Sequence, residues 1–301
     1  MSIVVGQSVA GILGRLYYVK GGKSKWMVTL IQFVGFPILL VYYCICKNLT
    51  TNSRQIERRS SLIVTAVYVS LGLITAAYSF LISVGVQYLL ISTVTLISAS
   101  QLAFNAFFSF LINSRKFTQL IINCLVLLTI SLVLLVFNNN STNSFGEVSK
   151  VRYAIGFVCT VIGAIVGGLV LALAQLAFRK ILKRGTFKVN MDLIICQSIV
   201  ATNATLVGHF ASREWKCLTK EMEEYELRKV SYIMTITWAA ITSQVFLIGT
   251  IGLIFELSSF FCNAIVVLSL LVVPVLALIV FHDKMDGVKV ISMVMAIWGI
   301  V

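Results

Sequence analysis

Residues 60–114 and 231–281 carry one formal charge between them, Glu256. A helix crossing the roughly 30 Å hydrocarbon core of a bilayer needs about 20 apolar residues, and each stretch is more than twice that length. Each therefore reads as two membrane-spanning helices joined by a tight turn, placed at Gly85 in the first and at Gly252 in the second. The rest of the chain agrees. It is 59% apolar and 12% charged over 301 residues, with a mean hydropathy of +0.98, whereas a soluble domain runs near one-quarter charged. Charge-poor segments predict spans at 2–19, 26–46, 62–83, 88–112, 119–137, 153–178, 191–211, 231–254, 258–281 and 288–301. The expected fold class is an all-α polytopic membrane protein with ten transmembrane helices.

The charge balance excludes other classes. Lysine and arginine number 24 against 11 aspartate and glutamate, a net charge of +13. These bases fall in short runs between apolar segments, as in Arg179-Lys180 and Lys183-Arg184, where they flank spans and face anionic lipid headgroups. No basic face exists outside the membrane, so the partner is the lipid bilayer and nucleic acid is not expected. The seven cysteines show no metal-ligand spacing and read as small hydrophobes within helices. With two histidines and no HExxH pattern, the chain has no zinc ligand set, and no cofactor is expected.

The two long apolar stretches resemble each other. Phe80-Leu81-Ile82 precedes Gly85 and Phe246-Leu247-Ile248 precedes Gly252, and the hydroxyl pairs Ser92-Thr93 and Ser258-Ser259 follow. Five spans is an odd number, so a second copy would enter the membrane in the opposite sense, as in the inverted repeats of secondary transporters. The division expected is a first five-helix repeat at 1–137, a connecting loop at 138–152 and a second repeat at 153–301. The first span begins at residue 2 and the last apolar run stops at Val301, so both ends are expected to be trimmed.

Several segments, in order along nearly the whole chain, resemble the plant purine permease family of the drug/metabolite transporter superfamily. They include 100–109 (SQLAFNAFFS), 113–118 (NSRKFT), Gln175-Leu176-Ala177-Phe178, 197–202 (QSIVAT), 252–259 (GLIFELSS) and 281–289 (FHDKMDGVK). The resemblance implies two inverted five-helix repeats with cytoplasmic termini, and proton-coupled uptake of purine nucleobases, cytokinins or related heterocycles and alkaloids. It implies a multi-pass protein, of the plasma membrane in preference to the vacuolar membrane. The chain departs from the family pattern at Thr75-Ala76-Ala77-Tyr78, where an Asp-Asn pair commonly follows, and at Tyr88-Leu89-Leu90-Ile91-Ser92-Thr93, which lacks the usual proline.

A planar heterocycle needs in-plane donors and acceptors and a flat apolar wall; carboxamides supply the first and aromatic rings the second. An amide inside a span is costly unless it is paired or faces a cavity. The candidate substrate-binding residues are Gln101 and Asn105, four apart on one face of span four, with Trp238, Gln244 and Asn263. Any of these amides could instead join neighbouring helices. Glu256 is the candidate proton-coupling residue, or else a carboxylate at the start of span nine. Gly156, Gly163, Gly167 and Gly168 on span six read as close helix contact, and Pro37 and Pro274 as kinks of spans two and nine that free carbonyls toward a cavity, or else as plain bends. His209 is expected to be a wet polar tip.

The function expected is secondary active transport of purine-like small molecules with protons, not catalysis, because no intramembrane His/Asp/Glu cluster is present. An alternative is a nucleotide-sugar or phosphate-ester antiporter of the same fold, which would need intramembrane bases; Arg15 is the one clear example. A non-transporting degenerate paralogue is a further alternative.

Overall fold

The computed structural model describes residues 2–40, 61–113, 147–182, 187–225 and 228–281, with single positions at 122, 126, 130, 287, 291 and 294. The spans expected at 119–137 and 288–301 fall almost wholly outside the described residues.

The described chain is all helical. In order it forms α1 (Ser2–Val19), α2 (Lys25–Val34), α3 (Ser61–Tyr88), α4 (Ile91–Ala99), α5 (Gln101–Asn113), α6 (Glu147–Leu176), α7 (Phe187–Ala211), α8 (Leu218–Glu224), α9 (Arg228–Glu256) and α10 (Ser259–Phe281). Among the described residues, six helical stretches are long and apolar enough to cross a membrane: Ser2–Val19, Ile63–Tyr88, Thr93–Ile112, Lys150–Lys180, Asn190–Ala211 and Lys229–Glu256. Lys25–Leu40 and Ser259–Leu270 are shorter apolar helices. α4 and α5 together make the expected fourth span, broken at Ser100. α6 starts at Glu147, inside the loop expected at 138–152, and runs into a π-helical turn over Ala177–Leu182 that exposes Arg179 and Lys180.

Both expected turns lie elsewhere. α3 continues through Gly85 to Tyr88, and the chain turns at Leu89-Leu90. A Cβ on Gly85 would come within 2.2 Å of Thr160 Oγ1, so this glycine is a contact point between α3 and α6. α9 likewise continues through Gly252 to Glu256, and the turn is at Leu257-Ser258, where Ser258 Oγ accepts from Phe261 N at 3.2 Å to cap α10. Leucine and serine suffice there because neither turn needs a positive φ.

Burial is inverted relative to a soluble protein. The outer surface carries Ile63, Leu73, Phe107, Leu111, Val151, Val207 and Ile279, each at least 50% exposed, an apolar area that water would not tolerate and lipid does. The interior holds Thr29, Thr75, Ser98, Thr160, Gln175, Gln197 and Ser259 among its buried residues. Lipid gives no hydrophobic reason for helices to associate, so close packing and interhelical hydrogen bonds must hold them. The span-six glycines supply the packing. Cβ atoms would meet Leu89 or Tyr88 at Gly156, Ile82 at Gly163, Tyr78 and Gln101 at Gly167, and the Asn105 backbone at Gly168. α3 and α5 thereby close onto α6, while α1 lies against α9 and α10 and α2 against α7 and α9. Helices from the two ends of the chain interleave around one central space.

Candidate functional site

Two of the sequence-predicted amides bond each other, and a third ties the same pair of helices together. Gln101 Nε2 donates to Asn263 Oδ1 at 3.3 Å, joining α5 to α10. Asn105 Nδ2 donates to the Ser259 carbonyl at 3.1 Å, and Ser109 Oγ donates to Asn105 Oδ1 at 3.4 Å. Ser259 Oγ donates to Gln175 Oε1 at 2.6 Å, which brings in α6. Asn105, Ser259 and Asn263 are wholly buried. At about 0.6 kcal/mol for a typical interhelical bond in a membrane, the bonds between helices in this network contribute on the order of 2 kcal/mol. None of the three amides is among the residues that line the central cavity.

The open space lies beside them. A cavity of about 200 Å³ sits between α1, α2, α3, α4, α9 and α10. Pockets for drug-sized ligands run from about 300 to 1,000 Å³, so this one suits a smaller molecule. Its walls are mostly apolar, with Phe33 and Phe246 as flat surfaces, and its polar groups include Gln7, Gln32, Thr75, Tyr78, Ser79, Thr95, Ser98 and Ser243. Gln7 Oε1 accepts from Ser269 Oγ at 2.8 Å, which leaves its NH2 as a donor on the wall. The Gln32 carboxamide has no protein hydrogen bond among the described residues. Tyr78 joins the cavity to the buried network, since its hydroxyl donates to Gln101 Oε1 at 3.4 Å.

Gln244 serves a different purpose. Pro37 lacks the N–H that would bond the Phe33 carbonyl one turn back, and the helix turns at Gly35. Gln244 Nε2 fills the vacancy, donating to Phe33 O at 3.3 Å and to Gln32 O at 3.1 Å. The predicted kink is present, and a neighbouring helix satisfies its carbonyls.

Trp238 is 57% exposed and does not border the cavity. Six residues of α-helix turn through about 600°, so Trp238 and Gln244 lie about 120° apart instead of on one side. Trp238 belongs to the outward stripe Val230, Ile233, Met234, Thr237, Trp238, while Thr235, Ile236, Ala239 and Ser243 face the cavity. Glu256 is exposed, and as the last residue of α9 it ends span eight instead of opening span nine. His209 is buried, not wet, with no partner for Nδ1 among the described residues. Arg15 Nη1 donates to the Val86 and Leu89 carbonyls at 3.2 and 3.3 Å, so its charge is spent on the carbonyl end of α3.

At one end of the cavity the wall residues Tyr17 and Val28 pack against the connection between α7 and α9. Its short helix α8 presents Glu221, only 4% exposed, whose carboxylate accepts from the hydroxyl of the cavity residue Tyr17. Tyr17, Val28, Tyr225 and Tyr232 form an apolar cluster around this bond. Tyr17 can lie there because the chain after α1 folds under its ring. Gly21 takes φ 111°, in the region glycine favours, and a Cβ on Gly22 would sit 2.4 Å from the ring. A second carboxylate of the same connection, Glu214, accepts from Ser24 Oγ and from Trp26 N at the start of α2. Burial and the neighbouring Glu214 push the Glu221 carboxyl above its ordinary value, outweighing the hydroxyls of Tyr17 and Tyr232 and the Lys23 N–H, which favour the charged form.

Gln7, Gln32, Tyr17 and Glu221 escaped the sequence reading. The two glutamines were legible by the rule that picked Gln101, an amide inside an apolar run. Glu221 was not, since it lies among five glutamates and several bases in a segment that reads as a solvated loop.

A family model described as purine nucleobase transmembrane transport matches residues 1–301. Among curated proteins the chain is similar to purine permease 21 of Arabidopsis thaliana, 56% identical over 99% of this chain and 77% of that one. It is also similar to the probable purine permeases 10 and 8 of the same plant. These are 56% identical over 99% of this chain and 76% of the relative, and 51% identical over 98% and 75%. A solved crystal structure superposes with a TM-score of 0.58, covering 99% of this chain and 95% of that one. At 13% identity this is a likeness of fold alone.

Proposed function

The chain belongs to the plant purine permease family, a family of transporters and not of enzymes, and on that premise we propose that it carries purine nucleobases across a membrane by secondary active transport. Cytokinins and related planar heterocycles are the further substrates proposed, and a proton gradient the driving force. The proposed membrane is the plasma membrane. Ten spans arranged as two inverted repeats remain the proposed architecture, with the Arg213–Lys229 connection outside.

The observation that carries this reading is the cavity. It is small, lies at the centre of a helix bundle with an apolar exterior, and combines two flat aromatic walls with carboxamides from α1 and α2 and hydroxyls from α3 and α4. A neutral base entering it exchanges bonds with water for bonds to the Gln7 and Gln32 amides and stacks against Phe33 or Phe246. The buried Gln101–Asn263 pair acts at one remove, by holding Tyr78. What a phosphate ester would need is not among the described lining residues, which include no lysine or arginine.

The test is uptake of labelled adenine into cells expressing the chain, with nucleobases, cytokinins, alkaloids and nucleotide sugars as competitors. Saturable uptake displaced by bases and cytokinins is the expected result. Competition by nucleotide sugars but not by bases would overturn it.

A further inference from the structure

Glu221 is an ionisable group buried behind the cavity wall, bonded to Tyr17, which is itself part of that wall. The two come from opposite parts of the chain and from different layers: Tyr17 from a membrane span, Glu221 from a short extramembrane helix. We infer that the Glu221 carboxyl is a proton-binding site that latches the Tyr17 end of the cavity wall, its closure onto Tyr17 accompanied by uptake of one proton. The inference rests on the transport reading above.

The physics is that of a charge shut away from water. When α8 lies against Tyr17, an ionised Glu221 loses its hydration and gains only hydroxyl and amide donors, which repay part of the cost. Adding a proton removes that cost, and the carboxyl keeps its bond to the Tyr17 hydroxyl. When the latch lifts, the carboxyl is rehydrated and releases the proton to the aqueous phase it then faces. Closed and open states therefore differ in proton affinity, and by linkage acid favours the closed state. The groups that face Glu221 are consistent with this. Tyr17 and Tyr18 come from α1, the Lys23 N–H from the connection to α2, Glu214 from the turn before α8, and Tyr232 from α9. Glu214, in the same connection as Glu221, accepts from Ser24 Oγ and Trp26 N, so the latch has a second attachment, to the start of α2.

The experiment uses the full chain purified and reconstituted in liposomes, with two readouts. Infrared titration between about pH 4 and 8 follows carboxyl protonation without substrate, and adenine counterflow without a pH gradient follows transport. The expected result is a carboxyl band that titrates above the ordinary glutamate range and disappears in Glu221→Gln, together with counterflow whose pH dependence flattens in that variant. Tyr17→Phe keeps the ring and removes a donor that favours the charged form, so the midpoint of both profiles moves to higher pH. An unchanged infrared titration in Glu221→Gln, or an unmoved midpoint in Tyr17→Phe, overturns the inference. A Glu221-dependent titration with no adenine counterflow in the wild type would leave the proton site standing and count against the transport reading alone.

Discussion

At the scale of single residues, burial separates amides that hold the bundle from amides that are free to bind. Asn105 and Asn263 are enclosed and bonded to other helices, whereas Gln7 and Gln32 border the cavity with donors to spare. Gln7→Ala and Gln32→Ala are expected to raise the apparent KM for adenine about 5- to 150-fold, the equivalent of leaving one polar partner unsatisfied at about 1–3 kcal/mol. Thermal stability in detergent should change little in Gln32→Ala and fall modestly in Gln7→Ala, which loses the interhelical bond from Ser269. Asn105→Ala should do the reverse, lowering Tm by the loss of about 0.6–1.7 kcal/mol while leaving KM near wild type. Glu256→Gln is expected to leave the pH profile of uptake unaltered, since the carboxylate is exposed at a helix end. A flattened profile in that variant would restore Glu256 as the coupling group.

At the scale of helices, the decisive contacts are made by side chains that are absent. Gly168 sits where a Cβ would lie 2.7 Å from Asn105 N and 3.0 Å from Phe104 atoms, so α5 and α6 meet backbone to backbone. Gly168→Leu should force them apart, at a cost of about 1–3 kcal/mol or more for an overfilled contact, read as a lower Tm and loss of monodisperse protein in gel filtration. Gly252→Ala is the control, because nothing lies within 4 Å of its Cβ position, and it should be neutral or slightly stabilising. The small-residue spacing on span six was legible in the sequence because period and residue size are local properties. The partner helices were not.

At the scale of the whole molecule, the fold ties proton binding to stability. The Glu221 carboxyl is held above its ordinary value of 4.5, so the folded state binds this proton more tightly than the unfolded chain does. Its contribution is full below that value and is lost as pH rises from it through the raised folded value. Tm measured against pH should therefore fall across that window in the wild type and fall less in Glu221→Gln. Topology is tested separately. Cysteines introduced at Arg184 and Lys216 should label from opposite sides with an impermeant reagent, and labelling of both from one side would remove the inverted arrangement.

Chain-local quantities were readable without a structure. Runs of uncharged residues about one bilayer long place the spans, because the cost of a charge in hydrocarbon applies wherever the chain goes. Hence α1 and α7 begin and end close to the expected positions, and α3 begins close to its own. The kink near Pro37 follows from a missing N–H for the same reason. Which amide borders a cavity and which is enclosed depends instead on the neighbours that five other helices bring, and Gln101 and Gln7 look alike in one dimension. The turns at Leu89-Leu90 and Leu257-Ser258 escaped because glycines earlier in each run, with no positive φ to satisfy, mimic a turn signal while serving or tolerating helix contacts. Glu221 escaped because a carboxylate in a charged loop is buried only when a distant tyrosine and a folded-back glycine turn enclose it. Burial is a property of the assembled bundle, and only the tertiary structure decided it.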